Sequence, residues 1–226
     1  MFKGWWTHVG TQSQKNTRKF LLIYMLYKLA HLLRDHMGWL WEVAEGMNSA
    51  AFGIRYRKSL KRVSGVMAKN STEKVLLREA VVADAEALAQ FFAKQPEGDF
   101  EFFRPHGFDV ESLKALLKRT SFMMFVAEAS EESDKKEIVG YFFLRSFVHG
   151  QTYLGKMVDH AHQGQGIGKM MCKAAMDVAV TLGVRMFESI NKNNMASMRS
   201  TGAVLKQVIL QELEHGDLLI EDLPLS

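Results

Sequence analysis

The chain of 226 residues lacks most of the features that would narrow its function quickly. It has one cysteine, Cys172, so an internal disulfide is excluded, and a reduced, cytoplasmic setting is the default expectation. It shows no internal repeat and no low-complexity segment. It has no apolar run long enough to span a bilayer. The longest, residues 20–33, is interrupted by Lys28 and His31, whereas a spanning helix needs about 20 apolar residues. Residues 1–15 are polar and no small-residue cleavage site follows the run, so a signal-peptide layout is not expected. What is present, 47% hydrophobic and 24% charged residues, is the balance of a soluble globular protein of one or two domains.

Charge is unevenly distributed. Residues 1–70 carry 12 Lys/Arg against 3 Asp/Glu, a net of +9, while the remainder nets −5. All four tryptophans, Trp5, Trp6, Trp39 and Trp41, lie in the basic part. The split predicts two regions: a basic, Trp-rich helical extension over 1–70, with 54–70 as a connector, and a second domain over 71–226. Within the extension, 20–33 reads as a helix flanked by Arg18, Lys19 and Arg34. Such flanks suit a helix lying on an anionic membrane surface, and packing on its own domain or on a second subunit is the stronger reading. Residues 16–48 are thus expected to make a peripheral membrane contact or a homodimer contact. Nucleic acid is not an expected partner, because only Tyr56 is interleaved with the basic run at 55–62 and base stacking needs more aromatics than that.

The second region reads as alternating strands and helices. Strands are predicted at 75–78, 122–127, 138–144, 153–159, 186–190 and 204–213, with an edge at 218–220. Asp84 and Asp109 are candidate caps for helices whose apolar faces carry Leu88, Phe91 and Phe92, and Leu113, Leu116 and Leu117. Residues 130–136 are charged and predict a solvated hairpin loop. From Ile167 to Leu182 the apolar positions form one helical stripe, ended by Gly183. The fold class is a mixed α/β sheet with helices on both faces.

Between the strand at 153–159 and that helix stands Gln163-Gly164-Gln165-Gly166-Ile167-Gly168. A strand that turns through glycines into a helix presents backbone N–H groups and a positive helix end to an anion. A Walker A loop is excluded, because Met170 follows Gly168-Lys169 and the position five before Gly168 is Gln163. The dinucleotide fingerprint is excluded because the glycines fall at 164, 166 and 168.

The spacing Gln-x-x-Gly-x-Gly, the long helix after it, the strand to Ile190 and the segment Asn191-Lys192-Asn193-Asn194-Met195-Ala196-Ser197 resemble the GCN5-related N-acetyltransferase superfamily, across residues 74–215. The resemblance implies a splayed mixed sheet, acetyl-CoA as co-substrate and transfer of acetyl to an amine. By the same resemblance, Gln163, Gly164, Gln165, Gly166, Ile167, Gly168 and Lys169 hold the pyrophosphate. Met157 and Val158 pair with the pantetheine arm, and Asn191, Asn194 and Ser197 approach it from the other side. The superfamily's usual tyrosine acid is missing: Thr201 or Met198 stands at its place, depending on the register. Direct attack by a neutral amine needs no covalent intermediate, so Cys172 is read as a packed thiol.

A general base is sought in His106, within the aromatic loop 102–108, and in Glu188. Arg104 and His106 are read as acceptor-binding, with Arg104 suited to a phosphate or carboxylate. His149, His160 and His162 resemble a zinc set only superficially, so no metal is expected. The leading reading is acetyl transfer to a primary amine of a small molecule, with a nucleotide-linked amino sugar as the favoured acceptor. A protein amino group and a catalytically degenerate acyl-CoA-binding module are the alternatives.

Overall fold

The computed structural model describes residues 38–129 and 137–225. The helix expected at 20–33 and the charged loop expected at 130–136 lie outside the described residues. Three helices come first: α1 (Gly38–Arg55), α2 (Arg57–Leu60) and α3 (Val63–Asn70). Then follow β1 (Val75–Glu79), α4 (Ala85–Ala93), α5 (Val110–Leu117), β2 (Phe122–Ala129), β3 (Glu137–Phe147) and β4 (Gln151–Val158). The chain continues through α6 (Ile167–Leu182), β5 (Arg185–Asn191), α7 (Met195–Gly202), β6 (Leu205–Glu212) and β7 (Asp217–Pro224). No helix among the described residues is long and apolar enough to cross a membrane.

The strands form one seven-stranded sheet in the order β1-β2-β3-β4-β5-β7-β6. β2 and β3 are apolar at nearly every position because both sheet faces are covered. Strand alternation sends Phe125, Ala127, Phe142 and Leu144 to one face, where α3 and α6 pack. Phe122, Met124, Val126, Tyr141 and Phe143 go to the other, under α4 and α5. The caps behave differently. Asp109 accepts the Ser112 N–H at 2.9 Å, as a helix cap does. Asp84 instead binds Arg78 through both oxygens, at 2.7 and 2.8 Å, and accepts the Val81 N–H.

Two expectations need correction. The segment at 218–220 is not an edge: β7 lies between β5 and β6, pairing antiparallel with both, and β6 is the outer strand. The boundary at residue 70 is also misplaced, since packing divides the chain after Met47. Residues 54–70 are helical, and Phe52, Tyr56, Val63 and Met67 are buried in the same core as Leu77, Phe142 and Met171. Their spacing is that of a helix face. The basic residues that suggested a solvated connector, Arg55, Arg57, Lys58, Lys61, Arg62 and Lys69, all lie on the exposed side. Asn48 ties this segment to the end of β3, donating to Ser146 O at 2.9 Å and accepting from Val148 N–H at 3.0 Å.

Candidate functional site

β4 and β5 are the one parallel pair in the sheet, and they stay paired for only three residues, Gln151–Tyr153 against Arg185–Phe187. Beyond Tyr153 they diverge, leaving a cleft of about 590 Å³ between the C-terminal halves of both strands, the glycine loop and α7. That is the size of an ordinary small-ligand site. Two backbone edges face it. Asp159 donates its N–H to Val139 O on β3. Partners alternate along an antiparallel pair, so Met157 also turns its N–H and C=O to β3, and those of Leu154, Lys156 and Val158 face the cleft. Val158 thus turns its backbone to the cleft. Met157 also lines the cleft, but its backbone is committed to β3, opposite Tyr141, and its side chain is buried in the core.

The loop at the cleft's upper end is built for an anion. Gly164 and Gly166 have φ of 77° and 86°, the left-handed region that glycine enters without penalty. An added Cβ at either would meet no atom within 4 Å, so the backbone stands open. Among the described residues, the N–H groups of Gly164, Gln165 and Gly166 donate to no backbone carbonyl outside helices and strands. They precede the N-terminus of the 16-residue α6, whose first-turn N–H groups and dipole add to the field. Gln163, Gly164, Gly166, Ile167, Gly168 and Lys169 all line the cleft. Gln165 belongs to the loop without lining the cleft. Arg199 on α7 adds a second exposed cation to the same wall, a residue the sequence reading missed.

The cleft floor is a buried charge cluster. Lys156, with its side chain 7% exposed, donates to Glu188 Oε2 at 2.9 Å, Ser197 Oγ at 3.1 Å and Thr201 Oγ1 at 2.8 Å. Burial would lower its pKa, but Glu188 reverses that and the ammonium ends well above its ordinary value. Behind it, Asp222 of β7 meets Glu188, and burial together with that negative neighbour pushes the Asp222 carboxyl up to about 8. Among the described residues, neither oxygen of Asp222, nor Glu188 Oε1, has a donor from another group. A proton kept on Asp222 can reach Glu188 Oε1 from one Asp222 oxygen, leaving the other without a donor. Glu188, expected as a general base, is thus placed at the cleft but engaged by Lys156 on one side and Asp222 on the other. Nothing in the sequence reading pointed to Lys156 or Asp222. The only signal was a charge at a buried position of an otherwise apolar strand.

Asn194 caps α7 by accepting the Ser197 N–H at 3.0 Å. Asn191 donates its amide to His215 O and Asp217 Oδ1, at 3.0 and 2.9 Å, which ties the end of β5 to the start of β7, and its Oδ1 accepts the Asn193 N–H at 3.1 Å in the turn before α7. Both line the cleft, with Ser197 beside them.

The opposite wall is formed by Asp99, Phe102, Phe103 and His162. His162 Nδ1–H donates to Asp159 Oδ1 at 2.9 Å, an arrangement that in the neutral tautomer places the ring's lone pair on Nε2. Burial would raise the Asp159 carboxyl. Lys94, Gln95 and His162 outweigh it and hold that carboxyl well below the usual range. His160 donates to Asp99 Oδ2 at 3.0 Å, and His149 pairs with Gln151. Among the described residues no group of three His, Cys, Asp or Glu side chains is arranged to hold a metal ion.

The loop at 102–108 corrects the reading of its central residues. His106 lies in an aromatic nest of Phe92, Phe108, Phe122, Tyr141 and Phe143. Its Nδ1–H donates to Gly107 O at 2.8 Å and its Nε2 accepts the Tyr141 hydroxyl at 2.9 Å. Burial lowers its pKa, so the ring is neutral and both nitrogens are used. It does not line the cleft, and neither does the exposed Arg104. The signal for packing was present in the loop: three phenylalanines, Phe102, Phe103 and Phe108, around one histidine need an interior.

Residues 74–203 match the family described as Acetyltransferase (GNAT) domain. No curated protein matches the chain. Among solved structures, the ribosomal-protein-S5-alanine acetyltransferase from Vibrio fischeri is similar, with a TM-score of 0.58 at 17% identity over 68% of this chain and 94% of that one. So is Mycobacterium smegmatis RimJ in complex with CoA-disulfide (TM-score 0.52, 19% identity, 66% and 81%). The GNAT domain of S. lividans PAT gives 0.53 at 16% identity, over 66% and 90%. At these identities the likeness speaks for the fold, a mixed open sheet with flanking helices. The family match, which covers more than half of the sequence, shows more: this chain belongs to the GNAT acetyltransferases.

Proposed function

We propose that the protein transfers an acetyl group from acetyl-CoA to a primary amine of a small molecule, by direct attack in the cleft between β4 and β5. The observation that carries this is the conjunction at one cleft of an open glycine loop at a helix N-terminus and two unpaired strand edges. The residues fit the co-substrate. The N–H groups of the loop suit a pyrophosphate, and the inward groups of Leu154, Lys156 and Val158 suit an extended amide-bearing arm added like a strand. When bound, acetyl-CoA supplies an activated acyl carbon. The Val158 or Lys156 N–H is positioned to polarise its carbonyl.

The acceptor approaches from the wall of Asp99, Phe102, Phe103 and His162. An amine of pKa ~10.4 arrives protonated at neutral pH, and this wall offers a carboxylate, two rings and a basic nitrogen, His162 Nε2, to receive its proton. A nucleotide-linked amino sugar remains the first acceptor to try. Arg104 and His106 lie away from the cleft and no longer support it, and Lys169 and Arg199 stand on the glycine-loop side, where they suit the phosphates of coenzyme A. A solved structure of similar fold, AAC(6')-Ib, is in complex with paromomycin and acetyl-CoA, which supports trying small molecules first (TM-score 0.50, 14% identity).

The test is thiol release from acetyl-CoA with a panel of amino sugars, polyamines and peptides bearing a free N-terminal amine. Turnover only with the small amines supports the reading. Turnover only with peptides overturns the acceptor class, and release with none of them returns the chain to the acyl-CoA-binding alternative.

A further inference from the structure

The short helix α7 carries no tyrosine, and the position where the family's acid would be counted from Asn194 is Thr201. In the structure Thr201 is wholly buried, and its hydroxyl accepts a hydrogen bond from Lys156. The same ammonium reaches Ser197 on the cleft wall. A positive charge thus stands on the α7 side of the cleft, where the phenol is missing.

Resting on the acetyl-CoA reading, we propose that Lys156 holds the coenzyme A sulfur as a thiolate and so stabilises the leaving group that a tyrosine would otherwise protonate.

Three arguments support it. First, a lysine is costly to bury, and this one is buried while still lining the cleft. Second, the cluster around it carries no surplus negative charge to repel an incoming anion. Lys156 faces Glu188 as its single full counter-charge, and Asp222 behind Glu188 keeps a proton, so the ammonium is not neutralised twice. The remaining ionisable neighbour, Cys172, lies 3.5 Å from the Thr201 hydroxyl. Burial raises its pKa more than Lys156 lowers it, so it stays a neutral thiol and does not compete. Third, Lys156 keeps its proton, as a raised pKa requires. The step therefore balances without an acid. The amine, made neutral once its first proton has passed through His162 to solvent, bonds through nitrogen to the acyl carbon, the C–S bond breaks with its electron pair passing to sulfur, and the second proton leaves by the same route. The sulfur remains an anion beside Lys156, which exchanges a hydroxyl partner for it. The product thiolate takes a proton from water on release.

Proton release on binding tests this directly. A free thiol of pKa ~8.5 is almost fully protonated at pH 7. Calorimetric titration with coenzyme A at pH 7, in two buffers of different ionisation enthalpy, is expected to show close to one proton released per site. Acetyl-CoA, which has no ionisable sulfur, is expected to release none. Lys156→Arg should retain the release. The double variant Lys156→Met/Glu188→Gln, which removes both charges together and so avoids stranding Glu188, should bind acetyl-CoA yet release less than about a fifth of a proton with coenzyme A. No proton release by the wild type, or undiminished release by the double variant, overturns the proposal while leaving the acetyl-CoA reading intact. Failure of the wild type to bind acetyl-CoA at all overturns both.

Discussion

The Tyr141 hydroxyl and His106 Nε2 share a 2.9 Å hydrogen bond inside the aromatic nest between β3 and the loop at 102–108. The bond makes His106 a structural partner, with no lone pair left for an acceptor amine. His106→Gln, which can still accept from Tyr141, is expected to keep kcat/KM within about threefold. The pH dependence of folding should change instead. The folded ring has a lowered pKa and stays neutral, while the unfolded ring titrates near ~6.5. Protons therefore bind the unfolded chain more readily below that value, and stability present above pH ~6.5 is lost as pH falls. Urea unfolding between pH 7.5 and 5.5 should show a decline in the wild type that is shallower in His106→Gln. Equal slopes would contradict the neutral assignment.

Gly166 turns the chain into α6 with φ of 86°. A valine there would have to adopt a left-handed conformation costing about 1–2 kcal/mol, and its branches would stand over the open N–H groups. Gly166→Val is expected to weaken acetyl-CoA binding tenfold or more by calorimetry, with a smaller loss in Tm. Wild-type affinity in a folded variant would move the anion site elsewhere.

Asp222 supplies a second pH signature, of opposite sign. Its folded pKa, about 8, lies above the unfolded carboxylate value, so the folded state holds the extra proton. Stability is full below about pH 4 on this account and is lost as pH rises through 8, at most about 1.4 kcal/mol per pH unit. Asp222→Asn keeps the shape without the titration. It is expected to match the wild type near pH 4 and to exceed it in denaturant midpoint by a margin that grows up to about pH 8.

Met67 on α3 is 1% exposed and belongs to the same core as Phe142 and Met171. Met67→Ala should cost about 2–5 kcal/mol, read as a lower urea midpoint. A chain beginning at residue 71 should be insoluble or molten. Native behaviour of either would restore the boundary at residue 70.

The sequence made the catalytic half of the architecture readable because its signals are local. Glycines at 164 and 166, the stripe along α6 and the continuous apolar runs of β2 and β3 each follow from a few neighbouring residues. Long-range pairings were hidden. Nothing near Leu218 shows that its strand inserts between β5 and β6, and nothing near Lys156 reveals that Glu188, Thr201 and Asp222 converge on it from three other elements. Charge composition misled at 54–70, where six cations on one helical side concealed the apolar side that packs. At His106 the residue type suggested chemistry while its phenylalanine neighbours described an interior.

The pairing of β4 with β5 over three residues has a mechanical consequence. β1–β4 form one antiparallel leaf and β5–β7 another, and the sheet joins them along a spine three residues long. The leaves are each held by full-length ladders, so breathing concentrates at that spine. An extended molecule bound along both free edges stitches the book shut. Amide exchange at Lys156 and Val158 should accordingly be fast in the free protein and slow sharply on binding, while Gly155 and Met157, which face β3, and the interior of β2 and β3 stay unchanged.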